Sequence, residues 1–120
     1  MSARASKSCA HKMPRAERIG QLNDQLRMTG MGGRIVVTRG VQALPGFDAA
    51  ALLHALAAFD AFDADNDPHG ERDLGDVVHC GAELLWKIDY YDPSMQWGSC
   101  DPADPRVTTR VLTIMLPSEY

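Results

Sequence analysis

The stretch DADNDPHGERD, from Asp63 to Asp73, sets five carboxylates, an asparagine and a histidine within eleven positions. Such a density could hold a divalent cation, or supply an acid and a base. An EF-hand fails on position. With Asp63 as the first ligand, Asp65 and Asp67 fall where the third and fifth belong, but Pro68 replaces the turn glycine and Leu74 stands in place of the bidentate glutamate. A looser calcium or magnesium site from Asp63, Asp65, Asp67, Glu71 and Asp73 is the alternative. Asp, Asn, Gly and Pro are also the residues that turns require. Asp63, Asp65 and Asn66 are expected to end a preceding helix and bond nearby amides, Pro68 to fix a turn, Gly70 to take a positive φ, and Glu71 to pair with Arg72. The stretch is therefore read as a corner first, and a corner on a rigid scaffold is where contacts concentrate.

Other catalytic sets are weaker. Glu71, Asp73 and Asp89 with Lys87 could converge at the open end of a hairpin as a magnesium nuclease site, but no Glu-x-Lys follows the acids, and alternation puts Lys87 and Asp73 on opposite faces. A zinc site from His69, His79, Cys80 and Cys100 lacks any CxxC or HxxxH pair. Cys80 and Cys100 have no neighbouring helix N-terminus or placed base to activate them, and Ser94 and Ser99 have no GxSxG setting. His54 is a lone helical histidine. Gly32 and Gly33 precede a strand rather than joining strand to helix, so they cradle no phosphate. No cofactor is called for.

Charge is distributed unevenly. Residues 1 to 42 carry eight basic and two acidic side chains, a net +6, while residues 43 to 120 carry four basic and fourteen acidic ones, a net −10. Either the basic front packs near the acidic back, or an acidic surface is presented to a basic partner. Such a surface repels phosphate, which leaves only the N-terminal basic segment able to attract nucleic acid. Three cysteines without a secretory signal point to free thiols, and no apolar run approaches the roughly 18 residues that span a bilayer, so a cytoplasmic protein with no membrane contact is expected.

The elements that must position these residues follow from periodicity. Residues 1 to 12 are expected to form a flexible basic arm and residues 13 to 120 a single domain, in a chain whose 45% apolar content is that of an ordinary globular protein. Ile19, Leu22 and Leu26 mark a helix over 14–29, stopped at Gly30. RIVVT predicts a strand over 34–38. Leu52, Leu56, Phe59 and Phe62 predict a helix over 47–62. DVVHCGAELLWKIDYYD predicts a hairpin turning at Cys80 and Gly81, pairing His79 with Ala82, Val77 with Leu84, Gly75 with Trp86 and Asp73 with Ile88. Its core face would hold Val77, Leu84, Trp86 and Ile88, and its wet face Asp76, Glu83, Lys87 and Asp89. A proline-rich loop over 92–105 and a strand over 107–116 complete an α+β fold, a mainly antiparallel sheet of about four strands packed with two helices.

The segments NDPHGERDLG, LLWKIDYYD, DPADP and TTRVLTIMLPSEY, taken in this order, resemble a small family of uncharacterised proteins from proteobacterial genomes, plasmids and prophages, a domain of unknown function. The resemblance extends over Glu17 to Tyr120. It implies a shared fold and a mobile or accessory genetic element as the setting, and it brings no catalytic residue, cofactor or substrate.

The functional expectation is a non-enzymatic factor that docks on a host or phage protein with a basic surface, as an inhibitor of a nucleic-acid-handling defence complex would. The expected contact set is Asp65, Asp67, Glu71, Asp73, Asp76, Asp89, Tyr91, Trp97, Asp101 and Asp104, with Tyr91 and Trp97 as anchors. The oligomeric state is left open. The alternative is a metal-binding module or metal-dependent hydrolase built on Asp65, Asp67, Glu71 and Asp73.

Overall fold

The computed structural model describes residues 14–120, so the basic arm and Cys9 lie outside the described residues. Helix α1 (Arg15–Thr29) opens at Pro14 and closes on Gly30, whose φ of 78° lets its amide bond back to Leu26 O. Strand β1 (Gly33–Val37) follows, then a short helix α2 (Arg39–Gln42) that periodicity does not announce. Helix α3 (Ala49–Ala58) begins at Asp48, which accepts from the Ala51 amide. It is shorter at both ends than the 47–62 expectation. Phe59 and Phe62 lie beyond its end, yet both rings pack edge-on against Trp86, at centroid distances of 5.6 and 6.1 Å.

Strands β2 (Leu74–His79) and β3 (Ala82–Tyr91) form the hairpin in the anticipated register, His79 opposite Ala82, Val77 opposite Leu84 and Gly75 opposite Trp86. The Ile88 amide donates to Asp73 O at 2.8 Å, which extends the ladder by one pair. Cys80 and Gly81 both have positive φ, 54° and 76°, as a two-residue type I′ turn demands. Strand β4 (Thr109–Met115) pairs antiparallel with β3, and a 3₁₀ turn over Pro117–Glu119 follows.

The sheet order is β1-β4-β3-β2, and β1 runs parallel to β4. The fold is α+β, but its sheet is mixed rather than mainly antiparallel, and three α-helices rather than two accompany it. The cause is the connection between β1 and β2. It crosses the sheet through α2 and α3 instead of turning in a hairpin, so β1 and β2 run the same way, and two reversals later β4 does too.

All three helices sit on one face. Leu26, Val41, Leu52 and Leu56 join Val77, Leu84, Trp86, Ile88, Leu112 and Ile114 in a single core. Trp86 is fully buried, as the proposed hairpin face requires. On the opposite face Asp76, Val78 and Glu83 are exposed, while Lys87 and Asp89 are partly covered and ion-paired at 2.9 Å. No helix among the described residues is long and apolar enough to cross a membrane.

Candidate functional site

The acidic stretch folds as a corner built from its own side chains. The Asp63 carboxylate accepts from the amides of Asp65 and Asn66 at 2.9 and 3.0 Å, and Asn66 answers by accepting from the Asp63 amide and donating to Ala61 O. Asp67 accepts from the Arg72 amide at 2.9 Å, and Gly70 takes a φ of 71°. Asp63 and Asp67 are thus occupied by backbone donors. Among the described residues no three His, Cys, Asp or Glu side chains are grouped so as to hold a metal ion. Asp65 stands exposed.

The expected Glu71–Arg72 pair does not form. Arg72 is held in the left-handed region at φ 54° and reaches across to α1, where it meets Asp24 at 2.9 Å and Glu17 at 3.2 Å. Its guanidinium lies over Gly20, close enough that a side chain there would collide with it. Glu17, ahead of Asp24, holds Arg72 above the usual guanidinium range. Glu71 turns inward instead and accepts from Tyr90 Oη at 3.1 Å.

Beneath α1 lies a buried polar chain that apolar periodicity could not reveal. Asn23 donates to Glu71 O at 2.9 Å and to Tyr90 Oη at 2.8 Å, and its carbonyl accepts from Arg110 Nε at 2.9 Å. Arg110, 1% exposed, also donates to Pro102 O and stacks its guanidinium 5.3 Å from the Tyr90 ring centroid. Burial pulls the Arg110 guanidinium down and pushes the Tyr90 phenol up. The chain ties α1, the corner, β3, β4 and the proline-rich loop together. A second buried arginine, Arg27, donates to the carbonyls of Leu56, Ala57 and Phe59 at 2.7 to 3.0 Å, satisfying the end of α3. It also lines an open groove of about 380 Å³ with Asp24, Phe59, Phe62 and Arg72.

The proline-rich loop divides into two turns. In the first, Asp92 accepts from Ser94 Oγ at 2.7 Å and from the amides of Gln96 and Trp97, and the Asp92 amide bonds to Trp97 O. The Ser94 hydroxyl, ahead of the backbone donors, holds the Asp92 carboxyl below its usual value. This fixed turn carries Trp97 at its end with 70% of the residue exposed, so the ring does not fold back on the sheet. In the second turn Asp104 caps the Arg106 amide and pairs with its guanidinium, while Asp101 meets Arg15 at the start of α1. Among the described residues Arg15 is the one basic side chain of the front that pairs with a carboxylate of the back, while Arg72 of the back pairs with Glu17 and Asp24 of the front.

The anticipated contact residues therefore separate into two groups. Asp67, Glu71, Asp89, Asp101 and Asp104 have structural partners, and Asp73 is half-buried, its carboxyl raised chiefly by desolvation. Asp65, Asp76, Tyr91 and Trp97 remain for contact. Alternation places Asp76, Asp89 and Tyr91 on the helix-free face. Ser99 N bonds to Tyr90 O, and Ile88 N to Asp73 O. Tyr90 and Ile88 are two apart in β3, so their backbone groups point the same way, and the end of the Trp97 turn continues the lane that β2 occupies. Trp97, the corner and β2 thus border one edge of the sheet. Glu71, Asp73 and Asp89 do not converge, because Asp89 faces away from Tyr90 and its partners.

With this geometry in view, the chain belongs to a family of proteins of unknown function, DUF3768, whose model matches residues 37–119. The matched span includes the corner, the hairpin, the Trp97 turn and β4, whereas α1 with Asn23, Asp24 and Arg27 precedes it. No curated protein and no solved structure matches the chain.

Proposed function

We propose that the protein acts by docking on a protein partner with a basic surface, through the sheet edge that carries Trp97, Asp65, Asp76 and Tyr91. The observation that carries this reading is Trp97, a large ring left 70% exposed on a turn whose backbone Asp92 holds in place. A rigid exposed aromatic loses little entropy on binding, and such residues anchor interface cores. Charge supports the choice of partner. Residues 14 to 120 carry nine Lys and Arg against sixteen Asp and Glu, a net −7, and Asp65, Asp76 and Glu83 are exposed with no ion-pair partner among the described residues.

The setting we infer is a mobile or accessory genetic element, from the resemblance carried by the sequence motifs. There, carboxylates on this edge would occupy a basic groove that holds phosphate in a nucleic-acid-handling complex, and so inhibit it. The test is retention of a stoichiometric partner from host lysate on the tagged chain, with release by salt, because exposed charge pairs are screened. Trp97→Ala should lose that partner. Retention of the same partner by Trp97→Ala, or a saturable calorimetric signal for magnesium, manganese, calcium or zinc with no partner retained, contradicts the reading.

A further inference from the structure

Strand β2 lies at the end of the sheet order, and its ladder leaves one side open. The two-residue turn makes His79 and Ala82 a hydrogen-bonded pair, so Gly75, Val77 and His79 bond to β3, while the backbone groups of Leu74, Asp76 and Val78 point away from it. Among the described residues none of those three N–H or C=O groups has a hydrogen-bond partner. Exposed edges are ordinarily blunted by charged side chains, lysine above all, by proline or by a bulge. This one has no lysine, proline or bulge, and Asp76 is its one charge. Its side chains toward solvent are Asp76 and Val78, the latter 63% exposed, and a cavity of about 140 Å³ lined by Asn66, Leu74, Gly75, Asp76 and Leu85 opens beside it.

We propose that this edge takes an extended, basic segment of the docking partner as a fifth strand, an inference that rests on the docking reading above and names the form of the contact. Main-chain bonds to Leu74, Asp76 and Val78 would supply affinity, and side chains of alternate residues would supply selection. Charge decides the occupant. An added strand sets one side chain beside Asp76 on the helix-free face, where Lys or Arg is attracted and Asp or Glu repelled. A second copy of this chain is a poor occupant. The antiparallel register that uses all three edge residues pairs Leu74 with Val78 and sets Asp76 directly against its own symmetry mate.

The test uses the full chain and, as probe, a seven-residue peptide of alternating lysine and valine. At saturation the Leu74, Asp76 and Val78 amides should exchange with deuterium at least about tenfold more slowly, while those of Gly75, Val77 and His79 change little. Val78→Pro removes an edge donor without touching the ladder to β3, and should weaken peptide binding about tenfold or more. Asp76→Lys, which leaves every backbone group in place, should invert the preference toward a glutamate–valine peptide, and it serves equally if Val78→Pro misfolds. Unchanged exchange at the three amides, or binding to both variants as to the parent, overturns the proposal. So does protection of these amides that rises with protein concentration alone, the mark of self-pairing. A partner retained by both edge variants and lost by Trp97→Ala refutes strand addition and leaves docking standing, whereas one indifferent to Trp97 refutes docking itself.

Discussion

Trp86 lies across the hairpin over Gly75, so close that a β-carbon on residue 75 would stand 2.6 Å from Cζ2 and 2.8 Å from Nε1. The ring fills the space that glycine leaves, and it joins Phe59 and Phe62 in the centre of the core. Gly75→Ala must therefore displace the largest buried side chain. We expect a loss of about 1–3 kcal/mol in denaturant unfolding, by overpacking. Trp86→Ala should cost more, about 3–5 kcal/mol, by leaving a cavity. An equal or smaller loss for Trp86→Ala would show that the two residues do not share this contact.

The turn at the hairpin's tip carries a residue poorly suited to it. Cys80 holds a φ of 54°, which asparagine tolerates far better, and Asn-Gly is the favoured pair for a type I′ turn. Cys80→Asn is expected to stabilise the chain by about 0.5–1 kcal/mol, measured as a raised unfolding midpoint. A lower midpoint would mean that the exposed thiol has a packing role.

How much of this was legible in the sequence depended on the range of the interactions. The hairpin, its register and the burial of Trp86 follow from strict alternation about a two-residue turn, which is local information. The corner's Asx turns at Asp63 and Asn66 were legible for the same reason, but Asp63, Asp65 and Asn66 do not end α3 as expected, because that helix stops at Ala58 and Arg27 takes the carbonyls at its end. The partners of Arg72 lie 48 and 55 positions away, so the nearer Glu71 was the natural but mistaken choice. Helix α1 was placed by Ile19, Leu22 and Leu26, but Leu22 is only partly buried, and the buried stripe also contains Asn23 and Arg27, polar residues that a search for apolar periodicity passes over. Phe59 and Phe62 continued the spacing of α3 past its end because they serve the same core from irregular chain. The parallel pairing of β1 with β4 joins strands separated by most of the fold, and no local pattern records it.

Arg27 offers a test of one such concealed residue. Arg27→Met keeps much of the stem's volume, strands the carbonyls of Ala57 and Phe59 and leaves Leu56 O only the Phe59 amide. Unfolding experiments should show a loss of about 2–4 kcal/mol, with exchange protection falling first at the end of α3. A loss within about 0.5 kcal/mol, the range of a surface change, would deny Arg27 its role as a cap.

Asp73 predicts a pH dependence. Burial, ahead of the neighbouring Glu71 and Asp67 charges, raises its folded-state pKa above the ordinary 3.8. The folded chain then holds this proton more tightly than the unfolded chain, so the contribution of Asp73 to stability falls as pH rises through the window that begins at the ordinary value. Asp73→Asn should raise the melting temperature at pH 7 by about 2 °C, a modest figure because the group is only half-buried, and the gain should vanish below pH 3.8. A gain that persists unchanged in acid would assign the effect to something other than charge.

The claim on which the functional account turns is that Trp97 is displayed for a partner and does little for the fold. Its most direct measurement compares the parent and Trp97→Ala, side by side, for unfolding free energy and for partner retention at low salt. The account predicts unfolding free energies within about 0.5 kcal/mol of each other and a partner held only by the parent. A variant that unfolds markedly more easily, or that keeps the partner as firmly as the parent does, would contradict it.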